Sequence, residues 1–221
     1  MLCVSLKKKS VEELLASLKK LSFAEIRLDD LFVTPKELRV IFGGKTKTIA
    51  TCRPEHPGKS GFTRTEDERL ELLTNAVLCG ANYVDIDLET PEDYKRTLFE
   101  TAKKNNCFVI MSYHNYEETP SQKELEHIVN KCARFKPDII KIACLANSPK
   151  DPLRILALLH CKQPIIAVSM GTKGKITRLA GPLLGSPFTY VSETKLQATA
   201  LGQMDLAATK QIFKLMDIFD D

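Results

Sequence analysis

The chain has 221 residues, 43% hydrophobic and 27% charged, with a formal net charge of +4. That length suits one large domain or two small ones with a sizeable core, and the mild basic excess does not by itself imply nucleic acid. No apolar run approaches the ~18 residues needed to span a bilayer, and no membrane role is expected. The three lysines Lys7-Lys8-Lys9 follow the apolar start instead of preceding it, the wrong order for a secretory signal. The seven cysteines have no two within four residues of each other. This excludes a CxxC-type zinc or redox pair and favours the reducing cytosol, so a cytoplasmic protein is expected.

In chain order, residues 2–6 read as a short strand. Ser10 then caps a helix with Val11, Leu14, Leu15 and Leu18 at helical spacing. The next strand, 23–29, alternates strictly: Ala24, Ile26 and Leu28 on one face, Glu25, Arg27 and Asp29 on the other. Thr34-Pro35 starts a second helix and Gly43-Gly44 ends it. A third strand covers 47–53, and a long loop covers 54–64. Thr65 opens a helix with acids in its first turn and a Leu70, Leu73, Val77 stripe, closed by Gly80. Strand 83–89 again sets apolar residues against acids, here Asp85, Asp87 and Glu89. Helix 91–106 shows Tyr94, Leu98 and Ala102 on one side. Strand 108–114 follows, then a helix capped by Ser121.

Strand 137–144 carries Lys141 in an apolar, β-branched setting. A helix with Leu153, Leu156 and Leu159 comes next, then strand 164–170, helix 176–184, strand 187–191 and a last helix over about 205–217 with Leu206, Thr209, Phe213 and Met216 on one side. Eight strands alternating with eight helices imply parallel strands with helical crossovers. In this length that is the arithmetic of a single α/β domain, a (β/α)8 TIM barrel over residues 1–221. A doubly wound open sheet is the competing architecture, but the strand count is large for so short a chain. The charged faces of strands two and four would point into the barrel and need mutual pairing or a ligand. The longer strand-to-helix loops, 54–64, 171–175 and 192–203, place the site at the C-terminal mouth.

An ammonium inside a packed strand is costly unless something uses or pairs it. Burial lowers a lysine's pKa, and the uncharged amine attacks ketones and aldehydes. His114 ends the neighbouring strand, and adjacent strands lie about 5 Å apart, so an imine-forming lysine with a general acid/base histidine is the expectation. The bland alternatives are a salt-bridged lysine and a hydrogen-bonded structural histidine. Arg27, Arg53 and Arg178 suit a carboxylate and hydroxyls; each alone is an ordinary salt-bridge partner. Gly171-Thr172-Lys173-Gly174-Lys175 lacks the Walker spacing of a phosphate cradle. Gly202-Gln203 could offer amides to an anion.

Together these stretches resemble the type I 3-dehydroquinate dehydratases over nearly the whole chain. The resemblance is carried by Glu25-Ile-Arg27-Leu-Asp29, Thr51-Cys-Arg53-Pro, Ser112-Tyr-His114-Asn-Tyr with Thr119-Pro120, Asp138-Ile-Ile-Lys141-Ile-Ala143, Ser169-Met170-Gly with Thr177-Arg178-Leu-Ala-Gly, and Gly202-Gln203. It implies a shikimate-pathway enzyme dehydrating 3-dehydroquinate to 3-dehydroshikimate. Lys141 would form the Schiff base and His114 would move protons. Glu25, Arg27 and Arg53 would hold ring hydroxyls, Arg178 and Gln203 the carboxylate, and Met170 and Tyr190 would pack around the ring. Thr199 keeps the hydroxyl of a serine expected there. No metal or organic cofactor is implied. The family is often dimeric and also occurs fused to shikimate dehydrogenase, which makes a homodimer and that enzyme the expected protein partners. Pro57 stands where the family usually has a glutamate bonded to the catalytic histidine, and Glu55 is its nearest substitute. Outside the resemblance, a class I aldolase-type lysine enzyme and a non-catalytic anion-binding barrel, with Lys141 paired to Glu25 or Asp85, are the alternatives.

Overall fold

A computed structural model describes residues 1–54 and 64–217, so Glu55 and Pro57 lie outside the described residues. Among the described residues, eight strands alternate with eight α-helices: β1 (Leu2–Leu6), α1 (Val11–Leu18), β2 (Phe23–Arg27), α2 (Pro35–Phe42), β3 (Lys47–Thr51), α3 (Glu66–Leu78), β4 (Tyr83–Asp87), α4 (Glu92–Lys104), β5 (Phe108–Asn115), α5 (Gln122–Ala133), β6 (Ile139–Leu145), α6 (Asp151–Ala157), β7 (Ile165–Met170), α7 (Ile176–Leu183), β8 (Thr189–Ser192) and α8 (Leu206–Leu215). The strands form one parallel sheet in the order β7-β6-β5-β4-β3-β2-β1-β8. From β2 to β7 each strand neighbours its predecessor, as right-handed β/α crossovers require, and β8 lies beside β1; the fold class is the (β/α)8 barrel. By internal packing the chain forms two compact units, Leu6–Ile110 and Met1–Ser5 with Met111–Asp221.

In the unit Leu6–Ile110, β2, β3 and β4 pair in parallel, with Glu25 opposite Ile49 and Thr51 opposite Asp85. The helices start where the caps place them. Thr34 and Thr65 each accept the amide three residues on, while Glu37 and Glu68 return to the cap's own amide. The strands stop two residues earlier than the alternation predicts. At β4 the reason is local. Asp87 Oδ1 accepts the Glu89 amide (3.1 Å) and Asp87 O accepts the Thr90 amide (3.1 Å), a side-chain turn that ends the extended run. Glu89, expected on the inner face, is therefore exposed. On α4 the buried residues are Lys95, Leu98 and Ala102, with Tyr94 only half-buried. The Lys95 ammonium is satisfied by Leu88 O at 2.8 Å, which lets a lysine occupy the packed face.

The other unit holds β1 beside β8 and β6 beside β7, both pairs parallel. Its β-strands are almost entirely buried and Val/Ile-rich, as strands covered on both faces must be. Here α6 departs from the predicted stripe: Pro152, Ile155 and Leu158 are inside and Leu153 is 66% exposed. Asp151, at the start of the helix, accepts the Asn147 and Ser148 amides (2.7 and 2.8 Å), and this anchor sets the helix's rotation. On α8 only Thr209 and Phe213 are buried, and Met216 falls past the last helical residue. The cysteines are thiols, five of the seven buried; burial pushes Cys144 up to about 12 and Cys52 up to about 11, which leaves both inert. Among the described residues no helix is long and apolar enough to cross a membrane.

Candidate active site

Lys141 is the third of the seven residues of β6 and is 6% exposed. Its Nζ lies 4.2 Å from the centroid of the Tyr190 ring on β8, so the amine faces protein and not bulk solvent. Tyr190 is itself held edge-on by Phe188, ring centroids 5.4 Å apart. Period-two alternation carries Lys141, Ala143 and Leu145 on one face, opposite Ile166, Val168 and Met170 of β7. Met170 is 4% exposed at the end of that row. His114 lies near the end of β5, the neighbour of β6 in the sheet, and its ring stacks on Tyr116 at 6.0 Å. The Asn115 amide donates to the Cys144 thiol, so the next residue along, on the opposite face, is tied to β6.

Arg178 occupies the first turn of α7, 3% exposed. Its Nη1 donates to Tyr190 O at 3.4 Å. Among the described residues no carboxylate pairs with it, and its Nε has no hydrogen-bond acceptor. Burial lowers its pKa to about 10. A buried guanidinium in this condition lacks the counter-charge that ordinarily offsets its desolvation. Gln203 supplies a second donor. Its Oε1 accepts the Thr199 amide (2.7 Å) and the Thr199 hydroxyl (3.1 Å), which points the amide's Nε2 end away from them. Thr199 Oγ1 in turn lies 2.9 Å from Ser5 Oγ on β1.

This loop depends on Gly202. Its φ is +73°, and a Cβ there would lie 2.3 Å from Gly171 O, while the Gly171 amide bonds Leu201 O at 3.0 Å. Both the left-handed backbone and the close approach demand glycine. Gly202→Ala is expected to cost about 1–3 kcal/mol and to displace Thr199 and Gln203; melting of the variant checks the cost.

The charged residues of the unit Leu6–Ile110 form a second, tightly paired group. Glu25, Asp85 and Asp87 are buried. Arg53 Nη2 donates to Asp85 Oδ2 at 2.6 Å and its Nη1 to Asp87 Oδ2 at 3.5 Å. Burial would lower the Arg53 pKa, but these two carboxylates outweigh it and hold it above its usual value. Thr51 Oγ1 donates to Glu25 Oε1 at 3.1 Å. Arg27 grips Asp29 with two bonds of 2.8 Å. The three arginines predicted as a set thus differ: Arg27 and Arg53 carry their own counter-charges and Arg178 does not. Of the two acids that a non-catalytic reading would give to Lys141, Asp85 is engaged by Arg53 and Glu25 accepts the Thr51 hydroxyl.

Sequence reading missed Arg69. It is 3% exposed, and its Nε and Nη2 both donate to Cys52 O (3.1 and 2.9 Å), with Nη1 on Glu66. It clamps the chain one residue before Arg53. The only linear signal was the Glu66–Arg69 spacing of three, which reads as an ordinary surface pair.

Asp29 gives this group a pH signature. Burial would raise its pKa, yet the Arg27 charge and hydrogen bonds lower it below the usual value. A depressed carboxylate contributes stability above its unfolded pKa of about 3.9, and that stability is lost as pH falls through the folded value. Asp29→Asn is expected to destabilise the protein by about 2–3 kcal/mol at pH 7. The gap to the parent should narrow as melting is followed below pH 4.

Three comparisons bear on this arrangement. Residues 2–220 match the family Type I 3-dehydroquinase. A 3-dehydroquinate dehydratase of Methanocaldococcus jannaschii is 35% identical over 225 residues, covering 99% of this chain and 100% of the relative. The structure is similar to that of a 3-dehydroquinate dehydratase from Geobacillus kaustophilus, with a TM-score of 0.86 and 24% identity over 100% of this chain and 92% of that one. It is also similar to the dehydroquinate dehydratase and shikimate dehydrogenase of S. pombe, with a TM-score of 0.78 and 20% identity over 99% of this chain and 45% of that one. The two structural likenesses establish the fold, and the sequence matches establish the lineage. With a buried strand lysine, a neighbouring histidine and an acid-free guanidinium in place, the chain belongs to the type I 3-dehydroquinase family.

Proposed function

We propose that this chain dehydrates 3-dehydroquinate to 3-dehydroshikimate through a Schiff base on Lys141. The supporting observation is that Tyr190 touches both chemical ends of the site: its ring covers the Lys141 amine and its carbonyl meets the Arg178 guanidinium. A ketone carbon and a carboxylate on one small ring match that pair of groups.

In this reading the Lys141 amine adds to the substrate ketone and water leaves, giving a protonated imine. The imine is an electron sink that acidifies the adjacent carbon. The His114 imidazole takes that proton, then returns it to the departing ring hydroxyl as the second water is eliminated. Hydrolysis of the imine consumes one water and frees product and amine, so one water is lost overall. Arg178 and the Nε2 of Gln203 receive the carboxylate, with Thr199 orienting Gln203, and Met170 and Tyr190 line the ring. Glu25, Arg27 and Arg53 are assigned to ring hydroxyls. Asp29 neutralises Arg27, and Asp85 and Asp87 together outweigh the charge of Arg53, so neither arginine competes as an anion site.

Residues 1–221 are proposed to act as one catalytic domain, cytoplasmic and homodimeric, alone or associated with shikimate dehydrogenase. The deciding experiment incubates the protein with 3-dehydroquinate, reduces with borohydride and maps the adduct by mass. An adduct on Lys141 together with absorbance of the conjugated enone is the expected outcome. Enone formation with no adduct would remove the Schiff base, and an adduct with no enone would point to aldolase-type chemistry.

A further inference from the structure

Thr119 and Pro120 belong to the motif that follows His114, yet no step of the reaction uses them. Their surroundings in the structure give them a task. Thr119 is 6% exposed, and its hydroxyl donates to Leu145 O, the last residue of β6, at 2.7 Å. The carbonyls of Thr119 and Pro120 are both taken by Arg154 of α6, through Nη2 at 2.9 Å and Nε at 3.0 Å. Arg154 Nη2 also donates to Asp151 Oδ1 at 2.8 Å. Asp151 is 4% exposed and accepts the Ser148 hydroxyl and the Asn147 and Ser148 amides, all in the loop leaving β6. Asn147 closes the circuit by donating to Glu117 O at 2.7 Å and accepting Lys173 Nζ at 2.6 Å. One carboxylate therefore holds the loop after β6 and one guanidinium holds the loop after β5, and the two side chains hold each other.

We infer that the Asp151–Arg154 pair and Thr119 are positioning residues that set the separation of the β5 and β6 termini, and through them the placing of His114 against Lys141. This rests on the reading that these two residues act together on one substrate. The physical ground is that both strands end close to this clamp: His114 is five residues before Thr119, and Lys141 is four before Leu145. The ladder between β5 and β6 fixes their register, so what is left to the loops is the spacing of the two strand ends beyond it, and that is decided by whatever ties them. A charge-assisted clamp with three backbone carbonyls in it, its carboxylate buried and its guanidinium half-buried, resists such movement better than neutral loop contacts. Proton transfer falls steeply with misplacement of the base, whereas carboxylate binding at Arg178 and Gln203 uses other loops.

The test uses Arg154→Met, Arg154→Lys and Thr119→Val in the full chain. Kinetics with 3-dehydroquinate, the rate of borohydride trapping, the pH profile of kcat and melting are measured together. Arg154→Met is expected to lower kcat about 10- to 100-fold with KM changed less than about threefold, and to shift the pH profile of kcat. Arg154→Lys should recover part of kcat, since an ammonium reaches one carbonyl but not the fork. Thr119→Val, which removes only a hydroxyl, should lower kcat by about fivefold or more. A purely structural role predicts a lower melting temperature with kcat within twofold and a superimposable pH profile; that result overturns the proposal. If Arg154→Met does not fold, Thr119→Val decides alone, and unchanged kcat in that folded variant overturns it equally. A parent protein that neither turns over nor is trapped refutes the Schiff-base reading and this inference with it, whereas an active parent with unaffected variants refutes only the clamp.

Discussion

Lys141→Met is expected to reduce dehydration by about 10⁴-fold or more and to abolish borohydride trapping, while leaving the protein folded. Methionine keeps the unbranched stem that fills the interior between β6 and Tyr190, so the loss reports the amine and not the packing. Lys141→Arg is the stricter control. It keeps a cation beneath the Tyr190 ring but offers no nucleophile, and it too should be inactive. His114→Ala should behave differently: turnover falls by about a hundred- to ten-thousand-fold, yet the imine still forms and can be trapped. Slow trapping with slow turnover in His114→Ala separates the acid/base role from the covalent one. Full activity in Lys141→Met would end the covalent mechanism, and full activity in His114→Ala would remove the imidazole from it.

Arg178→Met should raise KM about 10- to 100-fold, the value of a buried charge-assisted pair, with a smaller effect on kcat. The same change is expected to leave the melting temperature of the ligand-free protein equal to or above the parent's. The reason is the sign of the electrostatics. Burial lowers the Arg178 pKa from 12.5 to about 10, so the charged form is penalised throughout the range below pH 10, on the order of 3 kcal/mol. The penalty is complete and flat at neutral pH and fades only as pH rises through 10. Removing the charge removes the penalty, just as binding an anion would. Melting of the parent should therefore rise with added small carboxylates, and that rise should be missing in Arg178→Met. A destabilised variant that still responds to carboxylate would place the anion elsewhere.

These two residues illustrate what could be read in the linear chain. Lys141 was legible because an ammonium amid Ile139, Ile140 and Ile142 contradicts its own setting, and the contradiction is local. The helix starts at Ser10, Thr34, Thr65 and Ser121 were legible for a similar reason, since a cap and its partner lie three residues apart. Arg178 looked like Arg27 and Arg53. Arg27 grips Asp29, two residues on and on the same predicted face, whereas only the structure shows that Arg53 faces Asp85 and Asp87, thirty or more residues away in sequence. The phase of α6 was misread because its rotation is set by Asp151 accepting amides of the preceding loop, not by its leucines.

By itself, the sequence determined the alternation of elements, the parallel (β/α)8 class, the buried lysine and the family, since each is encoded in periods, caps and short motifs spanning a few residues. The tertiary structure alone decided which cations are neutralised, what covers the Lys141 amine and which loops are tied at the β5 and β6 termini. Those are pairings between side chains and carbonyls far apart in the chain, and no local preference specifies a partner that only folding brings within 3 Å.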